Sequence, residues 1–260
     1  MEQQYSQIYY SADRFINEQK FIEICNRYEI SIMFRQYIRE LIYYKIIIIA
    51  DDSGSMTTLT RFNESRWAEL CKFITLVFSI TEIMENNLID IHFLNRGSIT
   101  GIKELKTITN AFIKEPSGPT PIVPILRRVL NEPIESELNY KGRIIIIATD
   151  GEPTDDNNRS DIRRLKNVLL NERKINDYVS FLACTDDDNS IEYLNKWDKE
   201  IARVDVMDDY PNEKIEVLRA QGRNFSFTYG DYVVKTLLGS VKIELDRLDE
   251  IHDDCQCNIL

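Results

Sequence analysis

Residues 45–56 read Lys45-Ile46-Ile47-Ile48-Ile49-Ala50-Asp51-Asp52-Ser53-Gly54-Ser55-Met56, an apolar run that stops abruptly at a polar, hydroxyl-rich turn. An unbroken apolar run of this length is expected for a strand buried on both faces, as in a parallel sheet covered by helices on each side. The pattern returns at Ile144-Ile145-Ile146-Ile147-Ala148, followed by Thr149-Asp150-Gly151-Glu152-Pro153-Thr154-Asp155. Two interior strands therefore end in oxygen-rich turns, and ligands of open α/β sheets lie beyond the carboxyl ends of the strands, where strand order reverses.

Outward from these runs the chain alternates between strand and helix patterns. Trp67, Leu70, Cys71, Ile74, Val77 and Phe78 recur at helical spacing. Ile89 to Leu94 reads as a strand, Ile99 to Ile102 as a short edge strand, and Leu105 to Phe112 as a helix. Pro119, Pro121 and Pro124 punctuate a loop that opens a helix through Ile125, Val129 and Leu130. Ser160 or Asp161 can cap a helix carrying Ile162, Leu165, Val168 and Leu169; Val179 to Ala183 is the next strand. Asn189, with Glu192 three residues on, resembles a capping box for a helix carrying Leu194, Trp197 and Ile201. Val204 and Val206 mark a last strand, and a helix through Val233, Val234, Leu237 and Leu238 is expected to continue through Val241, Leu245 and Leu248. The fold class that follows is α/β: a doubly wound, mostly parallel sheet with helices on both faces. Before it, Phe21, Ile22, Ile24, Tyr28, Ile30, Phe34, Tyr37, Ile38 and Leu41 form an amphipathic helical stripe, read as an extension packed on the sheet domain or, alternatively, as a partner-binding arm.

Three loops carry the chemistry. In Asp51-x-Ser53-x-Ser55, alternate residues of a tight turn can point the same way, so one carboxylate and two hydroxyls converge. Ser117-Gly118-Pro119-Thr120-Pro121 offers the Thr120 hydroxyl, and Asp150 offers a second carboxylate beside Gly151, which permits a tight turn or a close approach. Carboxylate and hydroxyl oxygens are hard ligands suited to Mg²⁺, Mn²⁺ or Ca²⁺. Asp52, between the ligands, is expected to point away from the metal. The run Asp186-Asp187-Asp188 reads as a solvated loop, or else as an acidic rim to the metal face.

Together the three loops, in this order, resemble the metal-ion-dependent adhesion site of von Willebrand factor A (vWA) domains. The family's ligand pattern maps onto Asp51, Ser53, Ser55, Thr120 and Asp150. The resemblance covers roughly residues 44 to 240, and the stretches SRWAEL from Ser65, FLNRG from Phe93 and TDGEPTD from Thr149 are similar to intracellular A domains of fungi and protists. It implies a Rossmann-like sheet of strand order 3-2-1-4-5-6 with the metal between the first and fourth strands. It also implies that hydroxyls contact the ion directly, that some carboxylates act through water, and that one coordination position stays open for an aspartate or glutamate of a partner protein. The expected organisation is an N-terminal helical extension over 1–43, the vWA domain over 44–245 and an acidic tail over 246–260.

Composition bounds the function. A formal net charge of -11 repels phosphate backbones and argues against nucleic acid. The polar start, MEQQYSQIYY, lacks the basic and apolar regions of a secretory signal, so the five cysteines read as reduced thiols inside a cell. The chain ends Cys255-Gln256-Cys257-Asn258-Ile259-Leu260, which fits a prenylation box at Cys257 with Cys255 as a second lipid site, and so a cytoplasmic protein that can associate with the cytosolic face of a membrane. No catalytic residue is assigned. There is no phosphate-binding Gly-Lys loop, and the two histidines are His92, in a predicted strand and read as core, and His252, in the acidic tail. The rival readings are a metal-dependent phosphoesterase and a metal-independent scaffold.

Overall fold

The computed structural model describes residues 16–84, 89–134, 140–185 and 188–250, without the side chains of 188–190. Its centre is a six-stranded sheet of β1 (Tyr44–Ala50), β2 (Ile89–Phe93), β3 (Gly97–Ile102), β4 (Gly142–Thr149), β5 (Asp177–Ala183) and β6 (Val204–Met207). The strand order is β3-β2-β1-β4-β5-β6. β3 runs antiparallel to β2, and the other strand pairings are parallel. The chain runs outward from β1 to β3, then crosses back to β4, so the order reverses between β1 and β4. This is the doubly wound α/β sheet the two isoleucine runs call for.

Those runs are continuous because each face of the sheet has its own core. Ile46, Ile48 and Ala50, with Ile144, Ile146 and Ala148, point into one apolar layer. Ile47, Ile49, Ile145 and Ile147 point into the other. The first layer is closed by α1 (Glu18–Arg27), α2 (Ile32–Ile38), α3 (Arg66–Thr81), α4 (Leu105–Phe112), α8 (Tyr210–Gln221), α9 (Tyr229–Leu238) and α10 (Ile243–Asp246). The second is closed by α5 (Ile122–Asn131), α6 (Ile162–Asn171) and α7 (Asp188–Glu200). Pro124 sits within the first turn of α5, where its missing N–H costs no helical bond.

The N-terminal stripe is core. Phe21, Ile24, Ile30, Phe34, Ile38 and Leu41 are buried in the same layer as α3 and α9, whereas Ile22 is turned to solvent. The docking is fixed at the start of α9, where Thr228 and Asp231 form a reciprocal capping box. Asp231 Oδ1 also accepts from the Ser31 N–H (2.7 Å), and the Thr228 hydroxyl donates to the Glu29 carbonyl (3.1 Å).

Two expectations need correction, and one helix was not foreseen. Helix α7 starts at Asp188, so Asn189 lies inside the first turn instead of capping it. The expected long C-terminal helix ends at Leu238. Gly239 and Ser240 break it, and Leu245 and Leu248 reach the core from a separate short turn of helix and the 3₁₀ turn after it. Helix α8 has no counterpart in the sequence reading, because only Glu213 and Val217 of it are buried and its apolar periodicity is weak. Its start was nonetheless signalled by Asp209, which accepts from the Asn212 N–H, and by Pro211 in the first turn. Asp186, Asp187, His252 and the tail cysteines Cys255 and Cys257 lie outside the described residues. Among the described residues no helix is long and apolar enough to cross a membrane.

At the amino ends of β4 and β5, Arg143 is almost fully buried against Asp177 (Nε to Oδ1, 2.7 Å). Its other nitrogens donate to the carbonyls of Val129, Leu130 and Glu132, which closes the C-terminal end of α5. Arg143→Met leaves Asp177 charged and unpaired in the interior. We expect a loss of about 3–5 kcal/mol of stability, read as a lower urea midpoint with an unchanged slope. An unchanged midpoint contradicts this account of the sheet's lower edge.

Candidate metal centre

The parallel strands β1, β2, β4, β5 and β6 deliver their carboxyl ends to one edge of the sheet, and the three oxygen-rich loops meet there. The β1–β4 ladder continues one step past Ala50, since the Asp51 N–H donates to the Ala148 carbonyl (2.9 Å). That step fixes where the Asp51 side chain emerges. Its Oδ1 accepts from the Ser53 N–H (2.8 Å), which curls the loop back over the carboxylate, and its Oδ2 accepts from the Thr149 hydroxyl (2.7 Å). Ser53 then precedes a 3₁₀ turn over Gly54–Thr57 that lifts Ser55 toward the end of β4.

Four of the five sequence-derived ligands form one connected set. Ser53 Oγ lies 3.0 Å from Ser55 Oγ, and the Ser55 hydroxyl donates to Asp150 Oδ1 (2.7 Å). Thr120, the fifth, is tied through its backbone to Thr154 and not to the other four. Its N–H donates to the Thr154 hydroxyl (2.9 Å), and its carbonyl accepts from the Thr154 N–H (2.9 Å). The hydroxyl of Thr120 is not part of the side-chain chain that links the other four.

The loops are held by groups that the sequence did not assign. Asp52 points away from the ligand set, as expected, but it has a clear task. Its Oδ1 accepts from the backbone and side-chain amides of Asn95 (2.8 and 3.0 Å), and its Oδ2 accepts from Arg96 Nε (2.6 Å). Arg96 also donates to the carbonyls of Ala111, Lys114 and Glu115, and its guanidinium lies 5.0 Å from the Trp67 ring. The Ser117 N–H donates to the Asp52 carbonyl (2.7 Å). Asp52 thus rivets the first loop to the β2–β3 turn and to the threonine loop. Gly118 has φ +111°, and a Cβ there would lie 2.7 Å from Asn95 Oδ1, so this position needs glycine on both counts.

Arg66, at the start of α3, is the other unassigned group. It donates to Asp150 Oδ2 (2.9 Å) and to the Thr185 hydroxyl (2.8 Å). Asp150 therefore offers one oxygen to Ser55 and the other to a guanidinium. Arg66 and Arg96 both fall in stretches singled out in the sequence, SRWAEL and FLNRG, but only the folded chain shows which aspartate each one meets. A Cβ at Gly151, as at Gly54, would meet nothing within 4 Å, so neither glycine is crowded and the face above the ligands is open. On the flank of the site a cavity of about 400 Å³ is lined by Arg66, Glu69, Cys184, Thr185, Tyr210 and Tyr229, among others.

Electrostatics single out Asp51. Asp52 and Asp150 each have an arginine, whereas no lysine or arginine among the described residues pairs with Asp51. Burial therefore dominates and raises its pKa from 3.8 to about 6, against the opposing hydrogen bonds from Ser53 and Thr149 and with a further push from the Asp150 charge. Burial, then the charges of Asp150 and Asp51, also raise the nearby Cys184 thiol, which keeps it protonated and unsuited to attack. Compared with protein-family models and with curated proteins, the chain matches none.

The Asp51 shift has a definite sign. Its folded pKa lies above its unfolded one, so the folded state holds a proton that the unfolded state releases between pH 3.8 and about 6. Stability without metal falls as pH rises through that window, and the full cost of the buried charge, about 3 kcal/mol, stands above it. In chelator at pH 7.5, Asp51→Asn should raise the thermal midpoint, and the gain should vanish toward pH 4. A gain that is the same at both pH values contradicts the burial argument.

Proposed function

We propose that this chain is a von Willebrand factor A-like domain that holds one divalent cation at the β1 and β4 loops and presents it to an acidic residue of a partner protein. The observation that carries the reading is the convergence of Asp51, Ser53, Ser55 and Asp150 at the point where the strand order reverses. The donor set fits a hard cation, since two carboxylates and two hydroxyls face one another, and one of the carboxylates is buried with its charge uncompensated. Asp51, Ser53, Ser55, Thr120 and Asp150 would hold the ion, with Mg²⁺ as the first choice and Mn²⁺ or Ca²⁺ as alternatives. Once bound, the cation supplies a positive charge to which a partner's carboxylate can bind.

The residues around it serve recognition. Arg66 holds Asp150 in line with Ser55. The open face above Gly54 and Gly151 gives an acidic partner residue room to approach. The flanking cavity can accept an apolar side chain beside it, which would add selectivity that the metal alone cannot provide. Free thiols at Cys25, Cys71 and Cys184 suit a reducing compartment, so we place the module in the cytoplasm.

The test is a calorimetric titration of chelator-stripped protein with Mn²⁺ at pH 7.5. We expect Asp51→Ala to bind one ion fewer than the wild type, and Ser55→Ala to bind that ion at least tenfold more weakly. Acetate, as a stand-in for the partner carboxylate, should then alter the electron paramagnetic resonance spectrum of the Mn²⁺ that wild type binds and Asp51→Ala does not. Equal stoichiometry in wild type and Asp51→Ala overturns the reading.

A further inference from the structure

A second group of carboxylates lies away from these loops, at the β6 edge of the sheet. Asp205 projects from β6, Asp198 from the last turn of α7, and Asp246 from α10, and each offers an oxygen within 4.8 Å of the others. Acidic side chains gather at protein surfaces for many reasons, but this group has a buried member. Asp205 is 2% exposed, and its Oδ2 has no hydrogen-bond partner; Asp198 Oδ1 is likewise buried and unsatisfied. A buried carboxylate oxygen without a partner is costly, and natural folds retain one only where something satisfies it. The backbone makes room for it, too. A Cβ on Gly239 would lie 2.0 Å from Asp205 Oδ2, so the break between α9 and α10 is where this carboxylate is accommodated.

The nearest lysine does not meet the need. Lys235 is fully buried, but its ammonium is engaged by Glu213 (2.9 Å), Asp249 (3.3 Å) and the sulfur of Met207 (3.4 Å). Its charge is felt by Asp205, yet none of the three aspartates forms a salt bridge among the described residues. The Asp205 and Asp246 carboxyls lie within hydrogen-bonding reach of each other, and two carboxylates so placed need either a shared proton or a cation between them. Burial raises Asp205 well above the usual carboxylate range and Asp198 to about 6, which records the same deficit of positive charge.

We propose that Asp198, Asp205 and Asp246 form a second cation site, selective for Ca²⁺, that pins α7, β6 and α10 together. The ligand set favours calcium. Three carboxylates on three separate elements suit the flexible shell of about six to eight oxygens that Ca²⁺ accepts better than the near-ideal octahedron that Mg²⁺ demands. Asp198 and Asp246 are partly exposed, so water can complete the shell. The site shares no ligand with the β1 and β4 loops and stands whether or not those loops bind metal.

The experiment uses the full chain carrying Asp51→Ala, so that the first site does not contribute. At pH 7.5 we expect calorimetry to show saturable binding of one Ca²⁺ together with a rise in thermal midpoint, and at least tenfold weaker binding of Mg²⁺. Adding Asp246→Asn, at a partly exposed position, should weaken Ca²⁺ binding at least tenfold and abolish the rise. Circular dichroism establishes that both variants are folded before titration, and Asp198→Asn replaces Asp246→Asn if the latter is not. Absence of Ca²⁺ binding in folded Asp51→Ala, or binding unchanged by the second substitution, overturns the proposal and leaves the three acids sharing a proton.

Discussion

The structure turns on one buried charge. Asp51 sits at the end of an interior strand, where the sheet reverses its order, with both oxygens hydrogen-bonded and no lysine or arginine among the described residues paired with it. A fold does not gain stability by placing a carboxylate there. Much of the surrounding architecture makes sense as a means of keeping it in place: the ladder step from Asp51 to Ala148, the turn closed by Ser53, and the Thr149 hydroxyl from the neighbouring strand. Each is a backbone or hydroxyl donor, and such donors orient a carboxylate without neutralising it. The position is stabilised by geometry and left open electrostatically, which is the condition a cation site requires.

The contrast with the other interior acids supports this reading. Asp177 has Arg143, Asp90 has Lys45, Asp52 has Arg96 and Asp150 has Arg66, each within 3.0 Å. The chain therefore neutralises buried carboxylates readily. Where it does not, Asp51 and Asp205 lie beside further oxygen ligands, whereas Asp231 is satisfied by the N–H groups of Ser31 and Thr228 at the start of α9. Arg143 and Arg96 bind carbonyls as well as carboxylates, so they lock helix ends and loops while they balance charge. Arg66 differs, because it reaches the ligand set itself.

Much of this was legible in the sequence. The two isoleucine runs implied interior parallel strands, since only a strand buried on both faces can be apolar at every position, and the polar turns after them marked the edge where a ligand could sit. Four of the candidate oxygen ligands could be named because their pattern is local, two or four residues apart, or tied to a strand end; Thr120, in a loop before a helix, carries no such signal. What could not be read is non-local. Arg66 and Arg96 meet Asp150 and Asp52 across 84 and 44 residues of chain, and nothing in their own neighbourhood says so. Helix α8 escaped because it buries little, and the break after Leu238 escaped because the apolar spacing runs on through it. The Asp198, Asp205 and Asp246 group lies on three elements, and no spacing rule connects them.

The central claim is that the β1 and β4 loops form a cation site. Crystals of the chain soaked in Mn²⁺ and measured at the manganese absorption edge test it most directly. The account predicts an anomalous peak beside the hydroxyls of Ser53 and Ser55, on the open side above Gly54 and Gly151, and no peak at that place in Asp51→Ala. A map with no peak at these loops, and with Ser55 still donating to Asp150 as it does here, would contradict it.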